Sequence, residues 1–573
     1  MYSPLLSLLY SFVATSSSRQ HATFLHSSTA VIGSCSFWHD ATQVAERCQH
    51  DPPPADILKQ IQEQPWRGGL EPVHPGGIPL HEAKVVEGKI PDDLCGMLCR
   101  NGPGRIRVGA SQYGHWFDGD GLVSQLTLNG SKQKATFQAK YVETERFQAQ
   151  QKVMREMKLS TDQSADQRIP LPKSGAWTKR GSKGSRWENL FAIPTNPANT
   201  NVIFYPNKGK DSTWHPRLYA IAEGGDPVLM DSQTLYTVGP EKITSKNHDV
   251  TSKSFFSAHY AVDPITTEIY NHGLLLGPTN AVNIMKLNPK GELIQQAATE
   301  LESLCFIHDN ALSENYLVLV VPPYTVDQSA FLDSLLGGEP LGKQFAWNAK
   351  NRKETTAMIF SKETLECVAK VQLPLMSTYH LIDAFEPDEE GKLLTFRALV
   401  HGPPASERIE VEKCFADLYR ARKLPLCIIM EYTVDVESGT LKASRQVASN
   451  ARPCELPDLN NAWGYKKRYV YTNTREDDAD FTNSIQKVDL ETGKCSDVIS
   501  FGEGVYAGTP IFVPRSGGKF EDDGYVMVQL YRSLEHRSDV CILDTRTLKK
   551  LTLLQLESHV PYQFHGAWYP TTP

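Results

Sequence analysis

Several patterns are missing from this chain, and each absence removes a class of protein. There is no basic excess: 59 Lys and Arg stand against 66 Asp and Glu in 573 residues, a net charge of -7, so nucleic acid is not an expected partner. No apolar run reaches the roughly eighteen residues that a membrane-crossing helix needs. The 11 cysteines scatter from Cys35 to Cys541 with no CxxC pair, Cys95 and Cys99 being four apart. That excludes a zinc ribbon or a disulfide framework and predicts buried thiols in a reducing compartment. GxSxG, HExxH, P-loop and GxGxxG signatures are absent, which removes the usual hydrolase, zincin and nucleotide-binding readings.

The first 39 residues hold ten serines, one arginine, no lysine and no acidic residue before Asp40. This composition suits a cleavable targeting segment over residues 1–50, with the apolar run Pro4 to Ala14 too short to span a bilayer. A plastid destination is expected, with a secretory or mitochondrial address as the alternative. Residues 51–80 are rich in proline and glycine and read as a linker or an arm on the surface of a folded domain. Residues 81–573 read as that domain, a single unit.

Strand signals dominate the domain, as in "VSQLTL", "KATFQAKYV" and "YLVLVV". The turns share a form in which Asn, Asp or Ser is followed by Thr or Gly, at Asn129, Asp231, Asn288, Ser361, Asp435, Asp489 and Asp544. Such residues bond back to their own backbone or tolerate positive φ, so each marks a hairpin. The sequon at Asn129 falls inside such a hairpin. Repetition of about seven hairpins predicts an all-β fold, a seven-bladed β-propeller, against a large β-sandwich or two β domains.

Of 17 histidines, four stand beside strand-like apolar segments: His259, His308, His380 and His565. On separate blades they would converge on the propeller axis. Four neutral imidazoles suit a borderline divalent ion such as iron, copper or zinc. "FDGDGLV" reads as a tight turn near the axis over Asp118 to Gly121.

The motifs "GKIPDDLCGMLCRNGPG", "GHWFDGDGLV", "NTNVIFY", "LYAIAEGGDPVLMD", "SAHYAVDP", "IHDNALSENY" and "PYQFHGAW" occur in this order from about Gly88 to Pro570. Together they resemble the carotenoid cleavage oxygenases. The resemblance implies a seven-bladed propeller with a helical and loop cap over one face, and one Fe(II) per chain held by His259, His308, His380 and His565. It implies outer carboxylates orienting the imidazoles, matched by Glu223 and Glu455. A third is replaced here by Thr509, whose hydroxyl can accept a hydrogen bond but carries no charge. It further implies dioxygen and a lipophilic polyene as partners, with peripheral membrane docking through the insertion Pro322 to Asn348. Phe117, Phe306, Phe564 and Trp568 are the candidate tunnel residues.

The expected reaction is oxidative cleavage of a conjugated double bond of a carotenoid or apocarotenoid to aldehydes or ketones. Within the same chemistry, stilbenoid cleavage and retinyl ester isomerohydrolysis are alternatives, with Tyr113 and Arg146 in the regions that grip a phenol in stilbenoid relatives. A catalytically silent binding propeller is the alternative from another class, prompted by Thr509.

Overall fold

A computed structural model describes residues 53–571 apart from 158–167, 182, 207–214, 244–254, 276–279, 323, 348–353, 402–423 and 477–478. The targeting segment expected at residues 1–50 lies outside the described residues.

Seven antiparallel sheets form the blades of a propeller. Each apolar alternation becomes a strand because one set of its side chains faces the neighbouring blade. Each of the seven recurring turns joins the third and fourth strands of a blade. Asp489 Oδ1, for example, accepts from the backbone N–H groups of Glu491 and Thr492, at 3.0 Å each, and the turn connects Ser484–Asp489 to Lys494–Ser500. Four residues past the turn opener the backbone is left-handed in six of the seven turns, and in the Asn288 turn it is Gly291, three residues on. Gly439 and Gly493 occupy that position in two blades, where glycine has no Cβ to clash. Leu235, Leu365 and Leu548 hold it in three others at φ of 50–62°, and all three leucines are buried. Burying an apolar side chain there offsets the local strain.

The innermost strands start near the axis. They are His565–Pro570 in the first blade, then Asn201–Tyr205, Ala261–Val262, Asn310–Leu312, Leu381–Phe385, Cys454–Asp458 and Val505–Pro514. The chain's two ends are laced together twice. His565–Pro570, from the C-terminal end, pairs with Cys95–Arg105 in the first blade, Asn101 opposite His565. Lys84–Gly88, from the N-terminal side, completes the last blade against Lys550–Gln555. Closing the ring in this way leaves no long unpaired edge between first and last blades.

The arm, described from residue 53, is partly buried in the fold and not only laid on its surface. Trp66 to Leu70 are all buried, Tyr562 Oη donates to Trp66 O at 3.1 Å, and Ile78 already pairs with Ala139 in the first blade. Gly68 and Gly69 press so closely on Tyr531 and Tyr562 that a Cβ at either would clash. None of the eight described cysteines forms a disulfide. Helices Glu145–Glu156, Gln328–Leu335 and Leu341–Gln344 lie outside the blades, with the small sheet of Leu304–Cys305, Tyr324–Val326 and Ala346–Trp347. The stretch from Tyr324 to Trp347 thus forms a cap of strand, helix and short helix, in keeping with its break in strand rhythm.

Candidate metal centre

His380 directly precedes an inner strand, His259 and His308 lie two residues before theirs, and His565 opens one. Four blades therefore deliver one imidazole each to the axis. A ring nitrogen from each of the four lies within 4.8 Å of the others, and His380 Nε2 is 3.4 Å from His565 Nε2. Nitrogens each about 2.1 Å from one shared ion would lie at most about 4.2 Å apart, so the cluster is close to ligating size. His259 Nε2 is buried and has no hydrogen-bond partner among the described residues. A buried orphan nitrogen is costly unless something coordinates it. The residues present fit a metal ion.

The backbone around the cluster is fixed by short polar side chains. Asn271 Nδ2 donates to the carbonyls of Ser257 and His259 at 2.9 and 3.1 Å, and Asn310 Nδ2 donates to His259 O at 3.0 Å. Ser257 Oγ donates to His308 O at 3.1 Å. Asp309 Oδ2 accepts from Leu381 N at 2.9 Å, which ties the His308 strand to the His380 strand.

The outward-facing nitrogens have carboxylate neighbours on three histidines. His308 Nδ1 is 2.8 Å from Glu223 Oε1, and His380 Nδ1 is 2.7 Å from Glu455 Oε2. His259 Nδ1 is 3.6 Å from Asp309 Oδ1, a looser contact that sequence reasoning missed, although Asp309 directly follows His308. Thr509 stands apart. Its hydroxyl donates to Gln563 O at 3.4 Å and does not accept from His565, so His565 Nδ1 has no protein acceptor among the described residues. The hydrogen bond that the Thr509 hydroxyl could have accepted from a ligand imidazole is not made. Hydroxyl reach is the reason, since Thr is two bonds shorter than the Glu it replaces.

Electrostatics keep the ligands ready for a cation. Burial, reinforced by repulsion from neighbouring imidazoles, holds His259 and His565 well below the usual imidazole value. Burial also opposes a charge on His380, but the Glu455 and Asp309 carboxylates outweigh it and raise its affinity for a proton. Glu455 is held down to about 2: burial works against its charge, and the adjacent His380 more than compensates. An electropositive partner is what this pair lacks and what a metal supplies.

On one side the histidines meet a polar axial cavity of about 190 Å³, lined by His259, His380, His565, Asp309, Asp458, Lys467 and Thr509 among others. On the other side stands an aromatic wall. Phe306 stacks on His308 at 5.7 Å, Tyr379 meets His308 edge-on at 5.6 Å, and Phe117 meets Phe564 at 5.6 Å. Trp177, Tyr324 and Phe345 complete the cluster. Of the four aromatics expected there, Phe117, Phe306 and Phe564 are placed together, and Trp568 is not. Trp568 packs against the core between first and last blades, because it lies three residues past His565 on one strand and an odd spacing faces the opposite side.

Asp118 proves structural: its carboxylate accepts from Ala176 N and Trp177 N at 2.9 Å each and from Thr178 Oγ1 at 2.5 Å, which seats Trp177 in the wall. Tyr113 and Arg146 do not reach a ligand. Tyr113 Oη donates to Asp120 Oδ2 at 3.0 Å, Arg146 Nε donates to Asp120 Oδ1 at 3.1 Å, and both are buried.

Fold and site define a seven-bladed propeller with an axial cluster of four histidines that fits a metal ion. The family model described as retinal pigment epithelial membrane protein matches residues 72–570, and the chain belongs to that family. It is 28% identical over 537 residues to the apocarotenoid-15,15'-oxygenase of Synechocystis sp., with 90% of this chain and 97% of that protein covered. It is 27% identical to the chloroplastic carotenoid cleavage dioxygenase 8 of Arabidopsis thaliana, with 89% and 85% covered. A solved structure of cobalt-substituted Synechocystis apocarotenoid oxygenase superposes with a TM-score of 0.74 at 26% identity, covering 88% of this chain and 98% of that one. The chain is an oxygenase.

Proposed function

We propose that this chain is a non-haem Fe(II) oxygenase that cleaves a conjugated double bond of a carotenoid or apocarotenoid. The observation that carries this reading is the placement of four imidazoles between a polar cavity and a wall of aromatics packed edge to face. His259, His308, His380 and His565 would hold one iron, with Glu223 and Glu455 taking the outer imidazole protons and fixing the tautomers. Bound iron supplies the redox chemistry that dioxygen needs and that zinc lacks. The overall change converts one C=C and one O2 into two C=O groups, so no external reductant, protein nucleophile or base is required. The aromatic wall offers flat, apolar faces to a polyene and excludes water from it. The polar cavity is too small and too polar for that substrate.

The test is direct. Protein purified anaerobically and loaded with Fe(II) is given dioxygen with β-carotene, an apocarotenal or resveratrol, and products are followed by absorbance and mass. Two carbonyl fragments from a carotenoid or apocarotenal are expected. Stoichiometric iron with no cleavage of either would contradict the reading, and cleavage of resveratrol alone would reassign the substrate.

Docking to a membrane is proposed on a surface that joins the cap to a second segment. Phe191 N donates to Leu335 O at 2.7 Å and Leu190 bridges Leu336, which brings Trp187 (85% exposed), Phe191 (50%) and Leu332 (49%) to one neighbourhood. No helix among the described residues is long and apolar enough to cross a membrane. Each such side chain contributes about 1.5–3 kcal/mol when buried, so a Trp187→Ser, Phe191→Ser double variant should bind phosphatidylcholine vesicles at least about tenfold more weakly. Sedimentation with vesicles reads this, and unchanged binding would remove the proposal.

A further inference from the structure

Beyond the four histidines, a second buried group holds His401, Cys427 and Glu455 together. Cys427 belongs to the blade of His380, ahead of the strand Ile428–Asp435, and its backbone pairs with Cys454 across the blade boundary. Cys427 N donates to Cys454 O at 2.9 Å and Cys454 N to Cys427 O at 2.8 Å. This two-way pairing sets the Cys427 side chain beside the residue after Cys454, which is Glu455. The Cys427 thiol donates to Glu455 Oε1 at 3.2 Å. The other oxygen, Oε2, takes the contact with His380 Nδ1 at 2.7 Å and accepts from Leu456 N at 2.7 Å. His401 Nε2 stands 4.0 Å from Oε1, too far for a hydrogen bond. The thiol is therefore the donor that satisfies the oxygen facing away from His380. Cys427 is 0% exposed and Glu455 8%, so water competes little for that role.

We propose that Cys427 is a positioning residue for the metal centre: its thiol anchors Glu455 Oε1 and so aims Oε2 at the Nδ1 proton of His380. The proposal rests on the four-histidine metal reading. A thiol is a weak donor to neutral acceptors, but a charged carboxylate strengthens the bond. Removing it leaves a buried carboxylate oxygen unsatisfied and free to rotate away from the imidazole. A purely packing role for a small apolar thiol predicts no such effect.

The test uses the full chain stripped of metal and titrated with Co(II), whose ligand-field spectrum reports ligand geometry independently of activity. Cys427→Ala should bind Co(II) about three- to tenfold more weakly with shifted bands, less than the 10–100-fold typical of losing a ligand's direct partner. Cys427→Ser, which keeps a donor, should recover to within about twofold. In the wild-type chain an infrared S–H stretch should appear at low frequency, vanish in Cys427→Ser and move in Glu455→Gln. This arm stands even where Cys427→Ala does not fold. Wild-type affinity and spectrum in Cys427→Ala, equal weakening in the serine variant, or an unshifted S–H band would each overturn the proposal. A sulfur-to-cobalt charge-transfer band lost in Cys427→Ser would also overturn it, by making the thiol a ligand. Failure of the wild-type chain to bind cobalt would overturn the metal centre itself.

Discussion

A chain ending at Val560 is expected not to fold, whereas full-length His565→Ala is expected to fold and hold no metal. The difference separates two jobs of the C-terminal strand. Residues 561–571 carry Tyr562 and Phe564, both buried, and supply the strand that runs from Asn101 opposite His565 to Gly96 opposite Pro570. Burying Phe564 alone is worth about 1.5–3 kcal/mol, and Tyr562 with the strand ladder adds to it. A folded domain is stable by only about 5–15 kcal/mol. The first blade would also be left with the unpaired inner edge of Cys95–Arg105, a template for aggregation. Soluble yield and the cooperativity of thermal unfolding measure the first effect. Metal content of the soluble His565→Ala protein measures the second. A soluble, cooperatively unfolding truncated chain would show that ring closure does not depend on this strand.

Thr509→Glu is expected to tighten iron binding by about tenfold, and Glu455→Gln to weaken it by about 10–100-fold. Thr509 is fully buried and lines the axial cavity with His565, so a longer side chain has space toward the imidazole. A carboxylate there would accept the Nδ1 proton of His565, make it a better electron donor and offset the cation. Asp458 lines the same cavity. Burial pushes its carboxyl up to about 7 against the hydrogen bonds it accepts from Phe512 and Leu459, so near neutral pH it provides only part of a negative charge. Thr509→Gln, an uncharged acceptor of similar length, should give a smaller gain than Thr509→Glu. Competition with a chromophoric chelator measures all three. Equal affinity in wild type and Thr509→Glu would show that the fourth histidine needs no outer carboxylate.

The propeller is legible in the sequence because its turns are local. An Asn, Asp or Ser that accepts its own backbone N–H groups needs only its immediate neighbours, so Asp489 or Asp544 announces a hairpin wherever it folds. The left-handed Leu235, Leu365 and Leu548 are not legible, because only the neighbouring core justifies leucine at positive φ. The four histidines can be found because each stands at the start of an apolar strand, and inner strands of all blades point at one axis. What supports them cannot. Asp309 looks like a turn residue until His259 is brought beside it from 50 residues earlier, and Cys427 meets Glu455 only through pairing between blades. Trp568 misleads because nearness to His565 along the chain is not nearness to the aromatic wall, which strand alternation denies it. The buried arm at Trp66 to Leu70 misleads for the converse reason: Pro and Gly mark irregular backbone, not exposure, and here the glycines permit close packing on Tyr531 and Tyr562.

The central claim is that four histidines from four blades hold one iron. Anomalous diffraction from crystals of the anaerobically iron-loaded chain, recorded on either side of the iron absorption edge, tests it most directly. The account predicts a single iron peak per chain within coordination distance of His259, His308, His380 and His565. A peak bound elsewhere, or iron missing one of these four imidazoles, would contradict it.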